Sequence, residues 1–125
     1  MARILIAEDD PSMRTMMTDV VTELGHEAFS VESGHAAADI LVAEDDIDLL
    51  ITDMRMPNGP GRELVERLLD NPTYRDLAII VVSGYATADE VAVLTARGRT
   101  LRFLAKPFPL DTLRENIRLA LGEDY

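Results

Sequence analysis

Leu49-Leu50-Ile51-Thr52, closed by Asp53, is the stretch that decides the fold. It is apolar almost without interruption, as a strand buried on both faces should be. Similar runs lie at Ile4–Ala7 and Leu77–Val82, and another at Leu101–Ala105. The segment Ala28–Val31 is more polar and suits an edge strand. Between these runs the apolar period becomes helical. Met13, Met16, Met17, Val20, Val21 and Leu24 fall on one helical stripe, and Gly25 stands where a C′ residue belongs. Ser33 opens a segment with Ala37, Ile40 and Leu41. Leu64, Val65, Leu68 and Leu69 mark a third helix, ended by Asn71-Pro72. Thr87-Ala88-Asp89-Glu90 is a capping box before Val91 and Leu94, with Gly98 at the end. Leu110, Leu113, Ile117 and Leu121 mark a last helix. Strand and helix thus alternate, which predicts an α/β fold with one parallel sheet covered by helices on both faces. Ligands of such sheets sit beyond the carboxyl ends of the strands.

Composition narrows the function classes. A chain of 125 residues fits one domain, taken here as 1–125, and 47% hydrophobic with 28% charged residues is a globular composition. The net charge of -11 repels nucleic-acid backbones and anionic membranes, so neither is an expected partner. No cysteine is present, which excludes disulfides, thiolate metal sites and cysteine nucleophiles, and fits a cytoplasmic location. No run approaches the roughly 20 apolar residues that cross a bilayer.

The strand ends carry the chemistry. The first ends in Glu8-Asp9-Asp10, the third in Asp53, the fourth in Ser83-Gly84 and the fifth in Lys106-Pro107. Taken singly, an acid here can cap a helix, Ser83 can be a turn residue and Lys106 a surface charge. Together they put several carboxylates, a hydroxyl and a lysine on one edge of one sheet. Crowded carboxylates call for a cation, and an oxygen-rich site without His or Cys selects Mg²⁺ or Mn²⁺. A lysine and a hydroxyl facing such a metal suit a transferable phosphoryl group.

At these positions the chain resembles the receiver domains of two-component response regulators, over its whole length. The motifs are Ile4-Leu5-Ile6-Ala7-Glu8-Asp9-Asp10, Ile51-Thr52-Asp53-Met54-Arg55-Met56-Pro57, Val82-Ser83-Gly84 and Phe103-Leu104-Ala105-Lys106-Pro107-Phe108. The resemblance implies a flavodoxin-like three-layer sandwich: a five-stranded parallel sheet in the order 2-1-3-4-5 with five helices. It implies a stand-alone regulator of the chemotaxis type, a phosphoacceptor signalling protein rather than an enzyme, which assists its own phosphorylation and dephosphorylation. Asp53 would be the phosphoacceptor. Asp9 would bind Mg²⁺ directly, Glu8 would act through water, Asp53 would share the metal and the Arg55 backbone carbonyl would complete the protein ligands. Ser83 and Lys106 would bind the phosphoryl group, and Ser83 and Phe103 would form the switch. The Lys106-Pro107 bond is similar to one that is cis in the family. The donor would be a histidine kinase or phosphotransfer protein. The output would be a change in the surface of the fourth helix, fifth strand and fifth helix, read by a downstream protein. The protein would be a monomer or a phosphorylation-linked dimer.

Several positions depart from the family pattern. Arg55 and Tyr85 border the mouth of the site, where a long cation and an aromatic ring either shield an aspartyl phosphate from water or simply face solvent. Phe103 lacks the hydroxyl of the commoner tyrosine. The segment from Arg97 to Arg102 is one residue longer than usual and carries three arginines, a docking patch for an acidic partner or a solvated loop. Pro60-Gly61 replaces aspartate-glycine. The methionines of the first helix fall on its core stripe, and His26 and His35 have no partner at metal spacing.

Other functions remain as alternatives. One is a phosphorylation-independent docking or dimerisation module. Another is a receiver fragment of a larger regulator or hybrid kinase. An aspartyl phosphohydrolase needs an Asp-x-Asp pair, and Arg55 occupies the second place. No G-x-G-x-x-G follows the first strand, which disfavours a dinucleotide enzyme.

Overall fold

A computed structural model describes residues 1–54, 56, 61–84 and 101–122, with only the backbone at 61 and 62. Five parallel strands form one sheet in the spatial order β2-β1-β3-β4-β5. They are β1 (Arg3–Ala7), β2 (Glu27–Val31), β3 (Leu49–Asp53), β4 (Ala78–Ser83) and β5 (Leu101–Ala105). Every residue of β3 and β4 is buried, whereas β2 and β5 at the edges are only partly covered. The flavodoxin-like order 2-1-3-4-5 is therefore as expected, with the polar 27–31 segment at an edge.

The helices form on local signals. In α1 (Pro11–Glu23) the Asp10 side chain accepts from the Ser12 N–H, and Pro11 costs no bond because first-turn donors have no helical partner. Gly25 then adopts φ 87°, the left-handed C′ conformation that favours glycine. In α2 (Gly34–Ala43) Ser33 caps by accepting from the Ala36 N–H at 3.1 Å. Helix α3 (Gly61–Asp70) stops before a 3-10 turn at Pro72–Tyr74. The fourth described helix, Leu110–Ala120, is called here the C-terminal helix. The helix expected over 87–98 lies outside the described residues, as do Arg97 and Arg99.

Alternation along the strands sorts the core into two layers. Ile4, Ile6, Leu49, Ile51, Ile80, Val82 and Leu104 face α1 and the C-terminal helix, which contribute Met17, Val20, Val21, Leu113 and Ile117. Leu5, Ala7, Leu50, Ile79 and Val81 form the other layer with Ala37 and Leu41 of α2 and Leu64, Val65 and Leu68 of α3. Met17 is fully buried and Met13 and Met16 pack beside it, so the methionines are core as expected.

Leu110 opens the C-terminal helix and is 38% exposed, while Leu113 and Ile117 are fully buried and Phe108 packs against their layer. A residue of the first helical turn has no preceding turn to complete its apolar face, so the stripe effectively starts at Leu113. Of the three arginines at 97–102, Arg102 lies on β5, and its Nε donates to Asn116 Oδ1 of the C-terminal helix at 3.0 Å.

Candidate functional site

The site is built at the carboxyl edge of the three central strands and β5. Strand parity decides which side chains meet. Glu8 continues the face of Ile4 and Ile6, Asp53 that of Leu49 and Ile51, and Lys106 that of Leu104. All three therefore converge on the side of the sheet covered by α1 and the C-terminal helix. The ladders match them in height: Ala7 pairs with Thr52, so Glu8 follows beside Asp53. Ser83 continues the opposite face, that of Ile79 and Val81. It joins the site through the backbone, where the Lys106 N–H donates to the Ser83 carbonyl at 3.0 Å.

Lys106 Nζ lies 2.6 Å from Asp53 Oδ2 and 2.8 Å from Glu8 Oε1. One ammonium thus bridges two buried carboxylates. Glu8 is fully buried, Asp53 is 7% exposed and Ser83 is 3% exposed, while Asp9 is open to solvent. Oxygens of Glu8, Asp9 and Asp53 all lie within 4.8 Å of one another. Phe103 on β5 is half-buried and packs against the layer containing Val81. The Lys106-Pro107 bond is cis, as expected. Arg55, Tyr85 and Pro60 lie outside the described residues.

The electrostatics point to a missing positive charge. Burial pushes the Glu8 carboxyl up to about 7; the Lys106 ammonium acts against this and the adjacent Asp53 adds to it. Burial also works against the Lys106 charge, yet its hydrogen bonds to Asp53 and Glu8 hold it above the ordinary lysine value. Glu8 Oε2 is buried without a hydrogen-bond partner among the described residues. A buried acceptor left unmade is costly, so it signals a partner that completes the site. With all groups ionised, three carboxylates against one ammonium leave a formal charge of -2. The donors are all hard oxygens. The residues therefore fit a divalent cation of the Mg²⁺ class.

The raised Glu8 value has a stability consequence. Its folded value, about 7, lies above the ordinary carboxyl value of 4.5, so its stabilising contribution is complete below about 4.5 and is lost as pH rises through about 7. Without divalent cations, Glu8→Gln should remove this loss and make the protein more stable than wild type at pH 8, by on the order of 1–3 kcal/mol. Urea unfolding in chelator at pH 5 and pH 8 measures it. Parallel pH profiles for the two proteins would contradict the assignment.

One residue that the sequence reading passed over also belongs here. Arg14 Nη1 donates to the Glu8 carbonyl at 2.9 Å. Its only sequence signal is a cation one helical turn beyond an acidic run, which reads equally as a solvated face.

The family model described as the response regulator receiver domain matches residues 4–118. A chemotaxis protein CheY homolog of Campylobacter jejuni is 32% identical over 121 residues, covering 96% of this chain and 92% of the relative. The structure of the chemotaxis response regulator CheY4 of Vibrio cholerae superposes with a TM-score of 0.84 at 26% identity, over 97% of this chain and 99% of that one. The response regulator TrrA of Thermotoga maritima, solved in complex with Mg(2+)-BeF, gives a TM-score of 0.82 at 26% identity, over 97% and 100% of the two chains.

Proposed function

This chain belongs to the response regulator receiver domain family, and from that premise we propose that it is a phosphorylation switch whose acceptor is Asp53. The observation that carries this reading is the Lys106 ammonium 2.6 Å from Asp53 Oδ2, inside a buried acidic cluster whose Glu8 Oε2 has no partner among the described residues.

In the proposed transfer an Asp53 carboxylate oxygen attacks the phosphorus of a phosphohistidine on a kinase or phosphotransfer protein, or of a small acyl phosphate. An oxygen–phosphorus bond forms while the bond from phosphorus to the donor atom breaks, and the donor leaves with the electron pair. The protein contributes position and charge rather than a second reactive group. Glu8, Asp9 and Asp53, with the Arg55 backbone carbonyl, would hold Mg²⁺ or Mn²⁺, which when bound offsets the charge on the phosphoryl oxygens. Lys106 starts on Asp53 and would follow the oxygens of the new phosphoryl group. Ser83 would turn its hydroxyl toward them, and Phe103 would follow inward. That movement would alter the edge of the sheet at β5 and the C-terminal helix for a downstream protein. The chain would act as a signalling protein rather than an enzyme, in the cytoplasm, as a monomer or a phosphorylation-linked dimer. No described helix is long and apolar enough to cross a membrane.

Acetyl phosphate carrying a labelled phosphoryl group tests the proposal. The protein should take up label in Mg²⁺ and not in chelator, and the bond should be cleaved by hydroxylamine, as an acyl phosphate is. Beryllofluoride, the phosphoryl mimic bound by TrrA, should shift amide resonances around Ser83 and Phe103 only when Mg²⁺ is present. A chain that neither takes up label nor responds to beryllofluoride would be a docking module instead.

A further inference from the structure

We propose that Arg14 is a positioning residue, a clamp from α1 that fixes the Glu8–Asp9 peptide and thereby aims both carboxylates at a shared divalent cation. This rests on the Mg²⁺-dependent reading of the site given above. The strand ladder of β1 ends at Ala7, which pairs with Val31 on one side and Thr52 on the other. One residue later the backbone is still held, but by different means. The Glu8 N–H donates to the Val31 carbonyl at 3.0 Å, and the Glu8 carbonyl accepts from Arg14 Nη1 at 2.9 Å.

That carbonyl belongs to the peptide unit joining Glu8 to Asp9. The unit is planar, so holding its oxygen constrains the one soft dihedral before it and the one after it. Those two dihedrals set where the Glu8 and Asp9 side chains leave the backbone. Three carboxylates with oxygens within 4.8 Å of one another repel, and exposed Asp9 is free to swing away unless its backbone is fixed. Arg14 supplies the fixed point. Its own N–H donates to the Asp10 carbonyl at 2.9 Å, and its helix is anchored in the core by Met17, Val20 and Val21.

Arg14 makes no ion pair among the described residues, although Glu8, Asp9 and Asp10 are all close to it in sequence. Its guanidinium is spent on a carbonyl, as a clamp would be. This separates two roles by the sign of one measurement. Loss of a clamp weakens cation binding, whereas loss of a mere positive charge strengthens it, because like charges repel.

Mg²⁺ titrations by calorimetry on wild type, Arg14→Ala and Arg14→Lys decide between them. The expected result is a Kd for Mg²⁺ raised about tenfold in Arg14→Ala, in the range found when a residue orienting a metal ligand is removed, and largely restored in Arg14→Lys. Labelling by acetyl phosphate should need more Mg²⁺ in Arg14→Ala yet reach the wild-type ceiling at saturation. An unchanged or lower Kd in Arg14→Ala, beside a wild type that binds Mg²⁺ normally, would overturn the clamp and leave the phosphoacceptor reading standing. A wild type that binds no Mg²⁺ would overturn both.

Discussion

An Asp53→Asn protein should incorporate no label from acetyl phosphate above background, under conditions where the wild type is labelled. The substitution keeps the shape of the side chain and removes its nucleophile. An amide oxygen carries no full negative charge, and an amide nitrogen is delocalised into its carbonyl. Neither can form the acyl phosphate. The surrounding groups do not take over easily. Glu8 Oε1 is held by Lys106 and the Glu8 side chain is fully buried, and Ser83 lies on the opposite face of its strand from Asp53. The variant should fold normally. Removing the Asp53 charge also removes one of the contributions that raise Glu8, so the Glu8 carboxyl should titrate lower. Intact-protein mass spectrometry and label counting give the first result, and carbon-detected titration gives the second. Labelling at the wild-type level would sink the assignment of Asp53.

Lys106→Met should be the most destabilising single change at this site, by roughly 2–4 kcal/mol at neutral pH without divalent cations. Lys106 is the one described cation in contact with both Glu8 and Asp53. Methionine fills a similar volume, so little of the effect is lost packing. What remains is a pair of crowded, buried carboxylates. Breaking a buried ion pair from one side typically costs about 3–5 kcal/mol. The figure is set lower here because the Lys106 side chain is 24% exposed and water can relieve part of the loss. The sign of the pH dependence follows. Acid protonates Glu8 and lowers the repulsion, so the deficit should shrink toward pH 5 and widen toward pH 8. Mg²⁺ should recover much of it if the cluster binds the ion. Urea unfolding at both pH values, with and without Mg²⁺, measures all three effects. An unfolding midpoint equal to that of wild type would show that Lys106 does not stabilise the acids.

The two predictions divide the site into a reacting group and a structural cation, a division that strand ends in the sequence suggested only in outline. Asp53, Glu8 and Lys106 were each visible because each directly follows an apolar run, where a polar residue stands out. Arg14 was not visible. Its partner is a backbone carbonyl, and no residue type marks that pairing in a sequence. The exposure of Leu110 was not visible either: helical period defines a stripe, but not how far along the stripe the sheet extends beneath it.

The sequence by itself determined the elements. Apolar runs, helical spacing, Asp10, Ser33 and Gly25 are local signals, and local sterics and hydrogen bonding act on them without help from distant parts of the chain. The tertiary structure decided the pairings. Lys106 and Glu8 are 98 positions apart, and they meet at 2.8 Å only because β1, β3, β4 and β5 align in register and parity turns both side chains to one face. That same parity sends Ser83 and Phe103 to the other side of the sheet. A period of two tells which residues share a face. Only the packing of α1 and the C-terminal helix against one side decides which face closes over the acids and raises Glu8 to about 7.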